Sequence, residues 1–209
     1  MIDIRSLNFV TIILIILNGI GFYINYQANG DALLTGTVSS EALLEVGGMN
    51  GDSSPISWIT MMFQHGSLMH IIGNMLALIS VGVIIYNIYN PLGYIIGYFV
   101  SGIGSAIAIA IFNPDVITVG ASGAICGLFG MALVGGLFSE RRDEISLSAI
   151  ITSIVALMIT TFTIPDISIP GHISGLIVGC IIGIILLFAG FIFKLIGRGI
   201  SRLFSRQSY

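Results

Sequence analysis

Residues 116–139 read VITVGASGAICGLFGMALVGGLFS. Twenty-four residues pass without a charge, and glycine recurs at positions 120, 123, 127 and 130. A membrane-crossing helix needs ~20 such residues. Small residues every three or four positions let helix backbones approach closely. The stretch therefore reads as a transmembrane helix packed among others. Outward from it the pattern repeats. Charge-free runs cover 6–30 (25 residues), 53–114 (62), 145–165 (21) and 167–193 (27). The longest fits two spans, broken at Asn87-Ile88-Tyr89-Asn90-Pro91, where Asn and Pro mark a turn. Six helices follow, at about 8–28, 67–88, 92–112, 119–138, 145–164 and 170–193. The first has no A-x-A-like site after it and reads as a retained span rather than a signal peptide. The chain is 8% charged with a mean hydropathy of +1.05, whereas soluble domains carry ~25% charged residues. The expected fold is an all-α integral membrane protein, a single six-helix domain over residues 1–209.

Charge sets the expected orientation. The seven Lys and Arg residues are Arg5, Arg141, Arg142, Lys194, Arg198, Arg202 and Arg206. With six spans all seven fall on one side. The opposite loops hold Asp31, Glu41, Glu45, Asp52, Asp115 and Asp166. The positive-inside rule then puts both termini in the cytoplasm. No basic stripe suits nucleic acid, and the Lys194-to-Arg206 series suits anionic lipid head groups. A lean six-span chain leads us to expect a prokaryotic plasma membrane. Nothing in the sequence fixes an oligomeric state.

The longest connection, 29–66, lies outside between the first two spans. Its Ser39–Gly48 stretch reads as a short amphipathic helix with serine at its start and glycine at its end. Trp58 suits the head-group level. Cys126 and Cys180 fall inside spans without metal-ligand partners and read as small core residues. No metal or cofactor is expected.

Polar residues inside spans are costly and are functional candidates by default. His65, His70 and His172 lie at the starts of the second or sixth helix. Asn74 is one turn beyond His70 and shares its face. Ser122 is near the start of the fourth helix. These helices all run inward from outside, so Ser122, His172, His70 and Asn74 come to one depth. Gly171, Gly175, Gly179 and Gly183 on the sixth helix, and Gly123 and Gly127 on the fourth, would let the two helices pack tightly. That contact brings His172 toward Ser122. A serine hydroxyl needs a base to take its proton, and a neutral imidazole can do so near pH 7. The helix start at Gly120–Gly123 offers unpaired N–H groups, and Asn74 and His70 can donate to an oxyanion. No Asp or Glu within a span is available to orient His172, so the expectation is a Ser-His dyad. Taken singly, each residue has a plainer reading: packing for Gly-x-Ser-Gly, interhelical bonding for Asn74, loop positioning for His65.

Together these residues resemble the rhomboid intramembrane serine proteases in their basic six-helix form, over essentially the whole chain. His65-Gly-Ser-Leu-Met-His70-Ile-Ile-Gly-Asn74 is similar to the family's second-helix signature. Gly120-Ala-Ser122-Gly123 is similar to its nucleophile motif, and Gly171-His172-Ile-Ser-Gly175 to its histidine motif. The resemblance implies Ser122 as nucleophile and His172 as general base and acid. Asn74, His70 and the backbone around Gly120 and Gly123 would hold the oxyanion. It implies cleavage of the transmembrane segment of another membrane protein near its outer end, without cofactor. Substrate entry would involve about 145–171. Two positions depart from the family pattern. Trp58 is followed by Ile59 rather than arginine. Cys126 stands where an aromatic residue often packs on the histidine, one turn from Ser122, where thiol modification would block the site. The alternatives are a rhomboid-like binder of transmembrane helices that does not cleave, and more remotely a small channel or transporter.

Overall fold

The computed structural model describes residues 7–164 and 167–205, the side chains of 198–205 excepted. Of the charges in the orientation argument, Arg5, Asp166 and Arg206 lie outside the described residues, as do the side chains of Arg198 and Arg202. Helix α1 runs Phe9–Asn29, α2 Asp31–Thr35, α3 Ser40–Glu45 and α4 Ser57–Thr60, the last continuing as a 3-10 turn Met61–Phe63. Then come α5 Leu68–Phe112, α6 Ser122–Phe138, α7 Leu147–Thr163 and α8 Ile169–Ser205. Helices α1, α5 and α8 are long and apolar enough to cross a membrane; α6 and α7 are apolar helices of 17 residues each.

The burial pattern is that of a membrane protein. On α1 the buried residues include Thr11, Asn18 and Asn25, while Ile13, Ile16, Ile20 and Ile24 are exposed. A soluble helix would show the reverse. Two of the buried polar groups of α1 reach partners outside the helix. The Thr11 and Tyr94 hydroxyls lie 3.0 Å apart, and Asn25 donates to the His65 carbonyl at 3.0 Å.

The expected turn at 87–91 narrows to one residue. Asn90 has φ 59 and ψ 174 inside α5. Its Oδ1 accepts from the Leu92 and Gly93 N–H groups, which caps the second half of the helix. Pro91 takes the first-turn position, where no N–H is needed. A straight helix would separate Gly82 from Tyr94 by about 18 Å. Instead a Cβ on Gly82 would collide with the Tyr94 hydroxyl. The two halves of α5 therefore lie side by side.

Helix α6 fills the centre. It packs on α8 and on both halves of α5, and most of its residues are buried. No side chain caps its start at Ala121. At the far end Lys194 is ion-paired with Glu140, and Arg141 donates to the Asn87 carbonyl at 3.2 Å. Helix α8 continues to Ser205, beyond the expected end at 193. The 29–66 connection is also more structured than a single short helix. Thr118 and Met49 exchange backbone bonds of 2.7 and 3.0 Å, Gly51 N–H reaches Pro114 O at 2.7 Å, and Gly120 N–H reaches Met61 O at 2.8 Å. Trp58 packs partly buried against the core.

Candidate active site

Ser122 opens α6, and His172 lies in the first turn of α8, where Ser168 receives the His172 N–H on its carbonyl and the Gly171 N–H on its hydroxyl. Glycine governs how close the two helices come. A Cβ on Gly175 would overlap the Gly123 carbonyl, and one on Gly179 would overlap the Gly127 carbonyl. Gly123 and Gly127 are also closed from the other side, by the Ser105 and Ser101 hydroxyls of α5. Gly171 faces Ser105 and Ile109, at 3.0 and 2.9 Å from where its Cβ would stand. The contacts of Gly175 and Gly179 with α6 are backbone against backbone, so the α6–α8 register is fixed without reference to side-chain rotamers. The result is a His172 Nε2 to Ser122 Oγ distance of 2.8 Å. His172 is buried and Ser122 is half-buried.

The other ring nitrogen is engaged as well. His172 Nδ1 lies 2.7 Å from Thr161 Oγ1 on α7. Thr161 is buried, and its hydroxyl also contacts the Leu157 carbonyl one turn back at 2.7 Å.

Gly120 has φ +129, a left-handed conformation suited to glycine. A Cβ there would lie 2.8 Å from His70 Cε1 and 2.9 Å from His70 Nε2. The missing side chain brings the His70 ring over the turn that carries Ser122. The Gly120 N–H is already bonded to Met61 O, so what Gly120 offers is space, not a donor. The N–H groups of Ser122, Gly123 and Ala124 precede the first turn's bond from Ile125 N to Ala121 O, and so have no partner within the helix. Asn74 is buried and spends one amide hydrogen on the His70 carbonyl at 3.0 Å, leaving the other.

His65 lies behind His70, ring centroids 5.0 Å apart and edge to face. It is fully buried, and neither ring nitrogen meets a partner among the described residues. Burial, with the neighbouring His70 second, pushes its pKa down to about 3. A neutral, enclosed ring suits a wall supporting His70. Cys126 is fully enclosed and Cys180 packs its Sγ 3.6 Å from Gly130 O, in keeping with core roles. Enclosure also argues against Cys126 as a handle for thiol modification. Among the described residues, no group of three His, Cys, Asp or Glu could hold a metal ion.

Residues 52–189 match the Rhomboid domain family, well over half of the 209 residues. The chain belongs to the rhomboid family. It is 32% identical over 131 residues to "RHOMBOID-like protein 6, mitochondrial" of Arabidopsis thaliana, covering 62% of this chain and 43% of that protein. It is 30% identical to Arabidopsis "RHOMBOID-like protein 2", covering 62% and 41%. It is 34% identical to "Rhomboid protease GluP" of Bacillus subtilis (strain 168), covering 58% and 24%. The matched part of this rhomboid spans less than half the length of each.

Within this rhomboid, Ser122 lies against His172, and Gly120 against His70. Four features were not legible in the motifs. They are Thr161 against His172, the serines of α5 against the glycines of α6, the polar seam of α1, and the 29–66 backbone holding the Ser122 turn. Only the seam had a signal. Thr11, Asn18 and Asn25 recur every seven residues, two helical turns, and so share a face.

Proposed function

We propose that this rhomboid is an intramembrane serine endopeptidase acting through a Ser122-His172 dyad. The observation that carries the reading is the 2.8 Å approach of His172 Nε2 to Ser122 Oγ, between residues 50 apart in sequence and on separate helices. That one relative is named a protease adds weight. In the first step His172 takes the Ser122 proton as Oγ attacks the scissile carbonyl carbon. The oxyanion is met by the free N–H groups at the start of α6, the His70 ring and the remaining Asn74 hydrogen. His172 then passes the proton to the leaving amine nitrogen, and water hydrolyses the acyl-enzyme. Gly120 and Gly123 serve the oxyanion site by close approach, and Gly127, Gly171, Gly175 and Gly179 by helix packing.

We further assign six spans to one domain over 1–209, with α5 supplying two, and both termini on the cytoplasmic side of a plasma membrane. The substrate is the transmembrane segment of another membrane protein, cut near the outer face. Helix α7 and the loop after it are where that segment would enter. No metal or cofactor takes part.

The test is cleavage of a transmembrane substrate in proteoliposomes, beside labelling with a fluorophosphonate probe. Ser122→Ala and His172→Ala should each abolish cleavage and labelling while circular dichroism stays unchanged. Asn74→Ala should slow cleavage on the order of 10²-fold. Cleavage persisting in Ser122→Ala would reject the dyad. A folded wild type that binds substrate without cutting it would point to the non-cleaving binder.

A further inference from the structure

Thr161 stands out because α7 is otherwise so little engaged. Of its 17 residues only Ile150 and Thr161 are buried. Helix α7 touches α8 sparsely, yet it delivers one hydroxyl to the far side of the imidazole that faces Ser122. A threonine oxygen bonded at 2.7 Å both to Leu157 O and to His172 Nδ1 has a single hydrogen to give. A carbonyl can only accept. If the hydrogen serves Leu157 O, the Thr161 oxygen must accept, and His172 Nδ1 must carry the ring hydrogen. Nε2 is then bare and faces the Ser122 hydroxyl as an acceptor. The opposite arrangement would put a hydrogen on Nε2, which could not take the serine proton.

We propose that Thr161 is a positioning residue that holds His172 in the tautomer with hydrogen on Nδ1, leaving Nε2 free to take the Ser122 proton. Its consequence for cleavage rests on the dyad reading above; the tautomer itself does not. In the reaction the proton moves from Ser122 Oγ to Nε2, and the ring becomes a cation with hydrogens on both nitrogens. The Thr161 oxygen keeps accepting from Nδ1 throughout, so the ring neither turns nor loses its second partner as it charges. When Nε2 releases the proton to the leaving amine, the starting tautomer returns. The group that orients the base thus sits on a different helix from both dyad members.

Two measurements test this. The first is nitrogen-15 NMR of the histidine rings at neutral pH, with His172 assigned from its absence in His172→Ala. The wild type should show hydrogen on Nδ1 and none on Nε2. Thr161→Val, which keeps the shape and removes the hydroxyl, should lose the Nδ1 bond and populate the other tautomer. A wild type with hydrogen on Nε2 would overturn the proposal whether or not the protein cleaves anything. The second is kinetic. Thr161→Val should lower kcat about tenfold or more, the loss of one buried hydrogen bond. KM should stay within about twofold, because uniform substrate binding is untouched. Thr161→Ser, which keeps the oxygen, should recover kcat to within about threefold of wild type. An unchanged kcat in folded Thr161→Val, or a rise in KM alone, would sink the positioning role. If Thr161→Val does not fold, the wild-type spectrum and Thr161→Ser still decide it. Cleavage surviving in Ser122→Ala would remove the dyad but leave the tautomer result standing.

Discussion

Helices α6 and α7 have the same length, 17 residues, and similar apolar composition, yet 13 residues of α6 are buried against two of α7. Both are about 25 Å long at 1.5 Å per residue. What separates them is glycine. Helix α6 has Gly123, Gly127, Gly130 and Gly135, which let α5 and α8 close on it from different sides, and Gly136, which faces Leu147 and Ile150 of α7. Helix α7 contains no glycine and is rich in Ile and Thr, whose branched side chains hold neighbours at a distance. One helix is locked by main-chain contact. The other is buried at Ile150 near one end and Thr161 near the other, with Ile154 and Leu157 only partly covered between them. Apolar length assigns a segment to the bilayer, while small residues decide where in the bundle it sits.

The sharpest way to break this contrast is Gly179→Val. The added atoms would press on the Gly127 carbonyl, which has no rotamer to yield. Overpacking usually costs ~1–3 kcal/mol; here loss at or beyond the upper end is expected, together with loss of cleavage as the helices part. Thermal unfolding in detergent and the proteoliposome assay would read both. A folded, active Gly179→Val would mean that the backbone contact does not set the dyad.

Helix α7 offers an intermediate pair. Ile150→Ala should cost about 2–4 kcal/mol, as large-to-small changes in a packed core do. Val155→Ala, at a position 51% exposed, should stay within about 0.5 kcal/mol. Equal losses in unfolding experiments would show that α7 is held along its whole face, contrary to its burial. The smallest effect is expected at Gly73 of α5, where an added Cβ meets nothing within 4 Å. Gly73→Ala should leave cleavage intact and stabilise the fold slightly, by at most about 1 kcal/mol. A clear loss there would show that glycine serves flexibility, not packing, even outside the α6 contacts.

Much of the candidate site was legible because the residues gathered there are unusual ones. Histidine, asparagine and a Gly-x-Ser-Gly cluster are conspicuous against hydrocarbon-compatible side chains, and helix direction alone brings them to one end. Thr161 was not, because threonine passes unnoticed in an apolar helix, where its hydroxyl can bond its own backbone. Its partner lies 11 residues on, beyond a helix break, where no periodicity operates. Helix ends lie within a few residues of the expected ones, except for α8. Counting apolar residues measures the hydrocarbon slab, and a helix can run past it into basic sequence, as α8 does from Lys194. The expected break in 53–114 fell where Asn and Pro announced it. That a single left-handed residue would suffice was not written in the composition of the turn.

The backbone bonds from Met49 to Thr118 and from Met61 to Gly120 also bear on the order of assembly. Sixty-nine residues separate the first pair (118 − 49), and all of the earlier partners leave the ribosome first. At roughly 5–20 residues per second, residues 49–61 are available for several seconds before the Ser122 turn is synthesised. The turn that carries Ser122, with its left-handed glycine, need not find its shape alone. It is cast against a strip of main chain that is already there.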